Sequence, residues 1–190
     1  MAYASLDDYK SMRSATRDGR SDPEILAALD VAAADIDEWC QRTFTVATGT
    51  ETTRTFFQTV TGRVLVDDFA NTSQLVVTDG ESVLTIGEDF VVDRPTITSH
   101  PYYRLIFSPT RWGSPSWQPL LSVSADWGWA AVPDQVVRAN VLLAADLLAA
   151  GAASYGAVQF ADAGTLVRIR QNLIVEGLLR SFRRGDRTAL

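Results

Sequence analysis

The sequence predicts an α+β fold: a helical bundle of two long helices plus a short N-terminal helix, carrying an inserted antiparallel β-sandwich or barrel module and a C-terminal strand–helix arm. Three observations carry this. Apolar residues recur at helical spacing over 25–39 and again over 136–148. Between those stretches run seven short segments dense in Val and Thr, punctuated by turn signals. No helix-length periodic stretch interrupts the seven, which excludes alternating βαβ units and leaves antiparallel pairing.

The elements follow in order. Ser5 to Ser14 reads as a short helix, with Ser5 as cap and Asp7 and Asp8 at its electropositive first turn. Thr16 to Arg20 reads as a loop. Ser21-Asp22-Pro23-Glu24 is a stronger start signal with two solutions: Asp22 caps with Pro23 at the first helical position, or Ser21 caps with Glu24 completing a capping box. Ile25, Leu29, Ala32, Ile36 and Trp39 then form one apolar stripe to about Arg42, with Asp30, Asp35, Asp37 and Glu38 on the other sides.

From Thr43 the period changes. Arg54–Val60, Arg63–Asp67, Gln74–Thr78, Ser82–Ile86, Asp89–Asp93, Tyr103–Phe107 and Leu120–Trp127 read as strands. Thr78-Asp79-Gly80-Glu81 reads as a type I′ hairpin turn, because Asp-Gly tolerates its positive φ angles. A second hairpin is expected across Gly87, joining Val83–Ile86 to Phe90–Val92. Ser108 to Pro119 is a loop bearing Trp112 and Trp117, which either cover an end of the β module or contact a partner.

Pro133 and Asp134 open the second long helix, which runs to about Ala150. Val137, Val141, Ala144, Leu148 and Gly151 form one stripe; Val136, Leu143 and Leu147 form another. A helix apolar on two faces must bury both, one on the first long helix and the other on the β module or a neighbouring subunit. That makes Val136, Leu143 and Leu147, with Trp112 and Trp117, candidates for a subunit interface. Gly151 to Gly164 is a small-residue linker. Thr165 to Arg170 alternates like a strand, and 172–184 reads as a helix weakened by Gly177. This arm is too short to fold alone.

Composition bounds the function. At 190 residues, 46% hydrophobic, the chain can bury a real core and is too apolar for wholesale disorder. The lone Cys40 excludes an internal disulfide framework and a structural zinc site, and is expected to pack as a small hydrophobe. The polar, acidic opening is unlike a secretory signal, and the most apolar run, 139–153, holds Asn140 and Asp146 and falls short of a membrane span, which needs roughly 20 residues. The expectation is a soluble protein made in a reducing compartment. The net charge of −6 divides unevenly: 17 acids and 8 bases over 1–99, 6 acids and 9 bases over 100–190. An acidic body with a basic tail points to an interaction tail rather than a nucleic-acid-binding domain.

Catalytic patterns are weak. His100, the single histidine, precedes Pro101 in a loop and reads as structural. Asp67 and Asp68 would point to opposite faces of a strand and so would not work together. No phosphate-binding glycine loop occurs. The reading is not an enzyme, with no cofactor and no metal.

Two stretches sharpen the organisation. Asp22 to Phe44, ending Trp39-Cys-Gln-Arg-Thr-Phe44, resembles the first helix of the tailed-bacteriophage head-to-tail connector (adaptor) family. Val123 to Ala144, with Trp127-Gly-Trp and Val132-Pro-Asp134, resembles that family's strand, Gly-aromatic turn and second helix, and Asp89–Asp93 resembles its short strand after an Asp-Gly hairpin. The matches span residues 20–150 in order. The resemblance implies a homo-oligomeric ring, typically of twelve copies, bound beneath the portal protein at the virion neck, after synthesis in the host cytoplasm. Such a ring extends the DNA channel, passes genomic DNA without specific binding, joins the capsid to a head-closure (stopper) or tail protein, and involves no membrane.

On that reading the chain divides into a helical core of 1–42 and 128–164, a β insertion of 43–127 and a docking arm of 165–190. Arg168, Arg170, Arg180, Arg183 and Arg184 would pair with acidic portal surface, and Leu178, Leu179 and Phe182 would anchor the arm. Removing 165–190 would then leave a folded body that no longer docks. The alternatives are another neck protein, of the head-closure or tail-completion kind, and a β-sandwich ligand-binding module using Trp112 and Trp117 as a sugar platform.

Overall fold

The computed structural model describes residues 2–12, 19–57, 62–80, 82–93, 100–108, 120–153 and 172–184. Trp112, Trp117, Arg168 and Arg170, together with the expected strand at 165–170, lie outside the described residues. The chain forms two compact units, 1–44 with 132–190 and 45–131. The Gly-aromatic segment 128–131, expected with the helices, belongs to the second.

The first unit is helical. Helix α1 (Leu6–Met12) starts where Ser5 predicts: the Asp8 carboxylate accepts from the Ser5 amide at 2.8 Å, and the Ser5 hydroxyl accepts from the Asp8 amide at 3.1 Å. Helix α2 (Asp22–Cys40) selects the second capping solution, with Ser21 as N-cap and its amide bonded to the Glu24 carboxylate at 2.9 Å. The α2 stripe Ile25, Leu29, Ala32, Ile36 and Trp39 is buried. Gln41 ends the helix in the left-handed region at φ 55°. Helix α3 (Asp134–Ala153) packs on α2, and helix α4 (Leu173–Leu179), followed by a 3₁₀ turn (Arg180–Phe182), packs on α3.

The second unit holds two antiparallel sheets among the described residues. Strands β1 (Thr52–Phe57), β7 (Leu120–Ala125), β3 (Val76–Asp79) and β4 (Ser82–Leu84) form one, in that order; β2 (Arg63–Phe69), β6 (Tyr102–Phe107) and β5 (Phe90–Val92) form the other. Val64, Val66, Phe90 and Leu105 of the smaller sheet share one buried cluster with Val77, Leu84, Leu121 and Val123 of the larger, closed by Phe69 and Trp127. The alternation along β2 and β7 places these residues on one face.

Two local expectations are corrected. The β3–β4 turn sits one residue later than read, because Asp79 pairs with Ser82 and Gly80, at φ 63°, is the first loop residue. The segments on either side of Gly87 do not form a hairpin. β4 stays with β3, whereas β5 pairs with β6. The chain crosses from one sheet to the other through a tight turn in which Asp89 caps the Thr85 amide at 2.8 Å and Gly87, at φ 93°, donates to Phe90 O at 2.7 Å.

Gly128 is required by its surroundings. At φ 130°, a Cβ there would lie 2.5 Å from Thr45 O and 2.8 Å from Ala47 N. Its absence lets 45–47 run beside Trp129, whose amide donates to Thr45 O and whose carbonyl accepts from Ala47 N, both at 2.8 Å.

Candidate functional site

The feature that sequence left open was the second apolar face of α3. Val136, Ala139, Val141, Leu143 and Ala144 are all buried, and Leu147 is half-buried. Helices α2 and α4 of the same chain both pack on α3, and α1 touches it as well. Val136 and Leu143, expected at a subunit interface, are therefore core residues, fully enclosed within one copy.

The arm's placement follows from its spacing. Val175, Leu179 and Phe182 stand four and three residues apart, one stripe of a helix, and all three are buried. Asn172 caps α4, its side-chain oxygen accepting from the Ile174 and Val175 amides at 3.2 and 3.1 Å while its Nδ2 donates to Asp146 at 2.6 Å. Phe182 meets Phe44 edge-on at 5.8 Å, and the Arg184 amide donates to Cys40 O at 3.0 Å. Leu179 and Phe182, expected as anchors for a partner, anchor the arm to its own body. Removing 165–190 would expose the part of α3 that these residues cover.

A buried polar centre holds the other end of the unit. Asn140, with no exposed surface, accepts from the amides of Tyr3 and Ala4 at 3.2 and 2.9 Å and donates to Leu29 O at 2.9 Å. It thereby ties the N-terminal segment to both long helices. The Tyr3 hydroxyl donates to Asp37 and accepts from the Phe44 amide at 3.0 Å. Burial, then the bond to Asp37, raises the Tyr3 phenol well above its usual range. Burial also raises the Asp37 carboxyl, against the opposing effect of the Tyr3 bond. Cys40 is buried and its thiol is pushed up to about 12 by burial, which leaves it a weak nucleophile.

The outward surface of this unit is asymmetric. Helix α2 carries Asp22, Glu24, Asp30, Asp37 and Glu38 toward the surface, with Asp35 buried, and no basic residue. The segment 172–184 carries Arg180, Arg183 and Arg184 against Glu176. Arg180 and Arg183 are exposed, and the Arg183 guanidinium lies over Trp39 at 5.1 Å. Leu178 is half-buried, whereas Leu173 and Ile174 are 76% and 62% exposed. An open groove lined by Glu24, Ala27, Ala28, Val31, Leu147 and Leu148 runs between α2 and α3. Sequence reasoning passed over Leu173, Ile174 and Val31. The spacing of Val175, Leu179 and Phe182, which turns Leu173 and Ile174 outward, was the signal for two of them.

Residues weighed for chemistry are dispersed. Asp67 bonds Arg54 at 2.7 Å, and Arg54 also lies over the Trp127 ring at 4.8 Å. Asp68 is buried next to it on the opposite face. His100 packs on Trp129 at 5.6 Å. Among the described residues, no three His, Cys, Asp or Glu side chains come together to hold a metal ion, and no helix is long and apolar enough to cross a membrane.

No family model and no curated protein matches the chain. Among solved structures, a chain from the neck of an empty gene transfer agent (GTA) particle, computed with C6 symmetry, aligns over 96% of this chain and 90% of its own, with a TM-score of 0.51 and 14% identity. This chain has the fold of that neck protein. The neck of a native particle computed with C12 symmetry aligns at a TM-score of 0.47, 14% identity and coverage of 97% and 94%. The virion of a native gene transfer agent particle gives 0.45, 17%, 94% and 88%. The first alignment runs through helices and sheets alike, so the helix–β–helix order is a property of the shared fold.

Proposed function

We propose that this chain is a structural protein of the neck of a phage-like particle, a head-to-tail adaptor that forms a ring beneath the portal and joins the capsid to a stopper or tail protein. The observation that carries this is the shared fold with a particle-neck chain over nearly the whole of both. The ordered resemblance of 22–44 and 123–144 to the adaptor family adds to it, and favours an adaptor over the head-closure and tail-completion alternatives. The C6 symmetry of that neck accommodates a ring of twelve, which is a multiple of six.

The chain's chemistry suits such a role. Its work is packing and positioning, with no catalytic step. A net charge of −6 per copy, repeated around a ring, disfavours adhesion to DNA phosphates, since cationic contacts are what hold DNA non-specifically. Genomic DNA would then pass without being bound. Negative-stain imaging of the full chain, alone and with portal-bearing capsids, tests the proposal. Rings, or added density at the portal vertex, are expected. A monomer at high concentration that leaves the capsids undecorated would overturn it.

A further inference from the structure

A ring needs two surfaces of each copy to meet, and the helical unit offers two that match. On α4, Leu173 and Ile174 face outward with most of their surface exposed. Gly177, one turn on, has nothing within 4 Å of where a Cβ would stand. Glycine weakens a helix, and no described neighbour fills the space beside it, so the face beside Leu173 and Ile174 carries no side chain there. Arg180 continues the same face.

The second surface is the outer side of α2. Leu26 and Val31 are 44% and 51% exposed, with the small Ala27 exposed between them and Ala34 exposed just beyond. The groove between Val31, Ala27, Leu147 and Leu148 is apolar, with Glu24 at its rim and the Arg20 guanidinium held on Leu148 O at 2.8 Å. The helix is acidic without a single base. One surface is therefore apolar and basic, and the other apolar and acidic.

We propose, resting on the ring reading above, that Leu173 and Ile174 of one copy seat in the α2–α3 groove of the next copy, with Arg180 against that copy's α2 carboxylates. Two different surfaces of one chain make a heterologous contact, the kind that closes into a ring when repeated by a rotation. Arg180 lies seven residues beyond Leu173, about 10 Å along a helix axis. Glu24 and Glu38 lie seven residues to either side of Val31, so a carboxylate is within reach whichever way the helices run. The arm thus joins its own body by its inner stripe and its neighbour by its outer one.

The test uses two exposed double variants of the full chain, Leu173→Glu with Ile174→Glu, and Ala27→Glu with Val31→Glu. Their circular dichroism and melting confirm the fold, and particle mass is measured alone at high concentration and on purified portal rings. The wild type is expected to associate, and each variant alone to lose association at least tenfold. An equimolar mixture of the two should give a 1:1 pair, because one intact arm then meets one intact groove. Rings that persist in either variant, or a mixture that stays monomeric, would overturn the contact. Absence of wild-type association in both settings would instead overturn the neck reading, whatever the variants do.

Discussion

Phe182→Ala tests whether the C-terminal segment is a fixed part of the helical unit. The ring is 4% exposed and meets Phe44 edge-on at 5.8 Å, and Phe44 in turn meets Tyr3 at 5.5 Å. Removing a buried phenylalanine costs roughly 3–5 kcal/mol, of which an aromatic pair accounts for about 0.5–1.5. Val175 and Leu179 still hold α4 on α3, so the loss falls first on the docking of 172–184, as local opening. A loss of about 3 kcal/mol raises the open population on the order of a hundredfold, at tenfold for each 1.4 kcal/mol. Hydrogen exchange followed by mass spectrometry should show that acceleration in peptides from 172–184 and around Cys40–Phe44, with the β unit unchanged. A stability loss below about 1 kcal/mol with arm exchange unaltered would refute the packing described for Phe182.

Other consequences can be measured on the same protein. Asn140→Ala strands the buried Ala4 amide and removes the bond to Leu29 O, a loss on the order of 2–4 kcal/mol in urea unfolding; a loss under 1 would mean that the N-terminal segment is held otherwise. Gly128→Ala forces a Cβ to within 2.5 Å of Thr45 O at φ 130° and should cost about 2–4 kcal/mol, where a neutral result would contradict the backbone path at 45–47. Stability should also fall in alkali. The folded thiol of Cys40 resists ionisation up to about 12 while the unfolded one ionises near 9.0, and Tyr3 is raised above its ordinary 10.0 in the same sense. Their contribution is intact below pH 9 and drains as pH climbs, at up to about 1.4 kcal/mol per pH unit for each group. Cys40→Ala should flatten that slope between pH 9 and 11, and an unchanged slope would refute the assignment.

Much of the fold is legible in the sequence because its signals are local. Ser21 and Glu24, the stripe from Ile25 to Trp39, and the alternation in β2 and β7 each state a period or a cap within a few residues. What was not legible depends on contacts distant in the chain. The pairing of β5 with β6 rather than β4 is decided by Leu105, Ile106 and Phe107, some fifteen residues on, against a local pattern that reads as a hairpin. The second face of α3 needed an apolar partner, and sequence supplied two external ones before the stripe of Val175, Leu179 and Phe182 was placed against it. The candidate surface was hidden for the same reason. Leu173 and Ile174 count as outward only once the inward stripe is known.

The stoichiometry of the proposed neck ring is its most direct test. Native mass spectrometry of the full chain, alone and bound to purified portal rings, should give an assembly whose copy number is a multiple of six, twelve being the value favoured by the family resemblance. A chain that remains monomeric in both settings would contradict the claim.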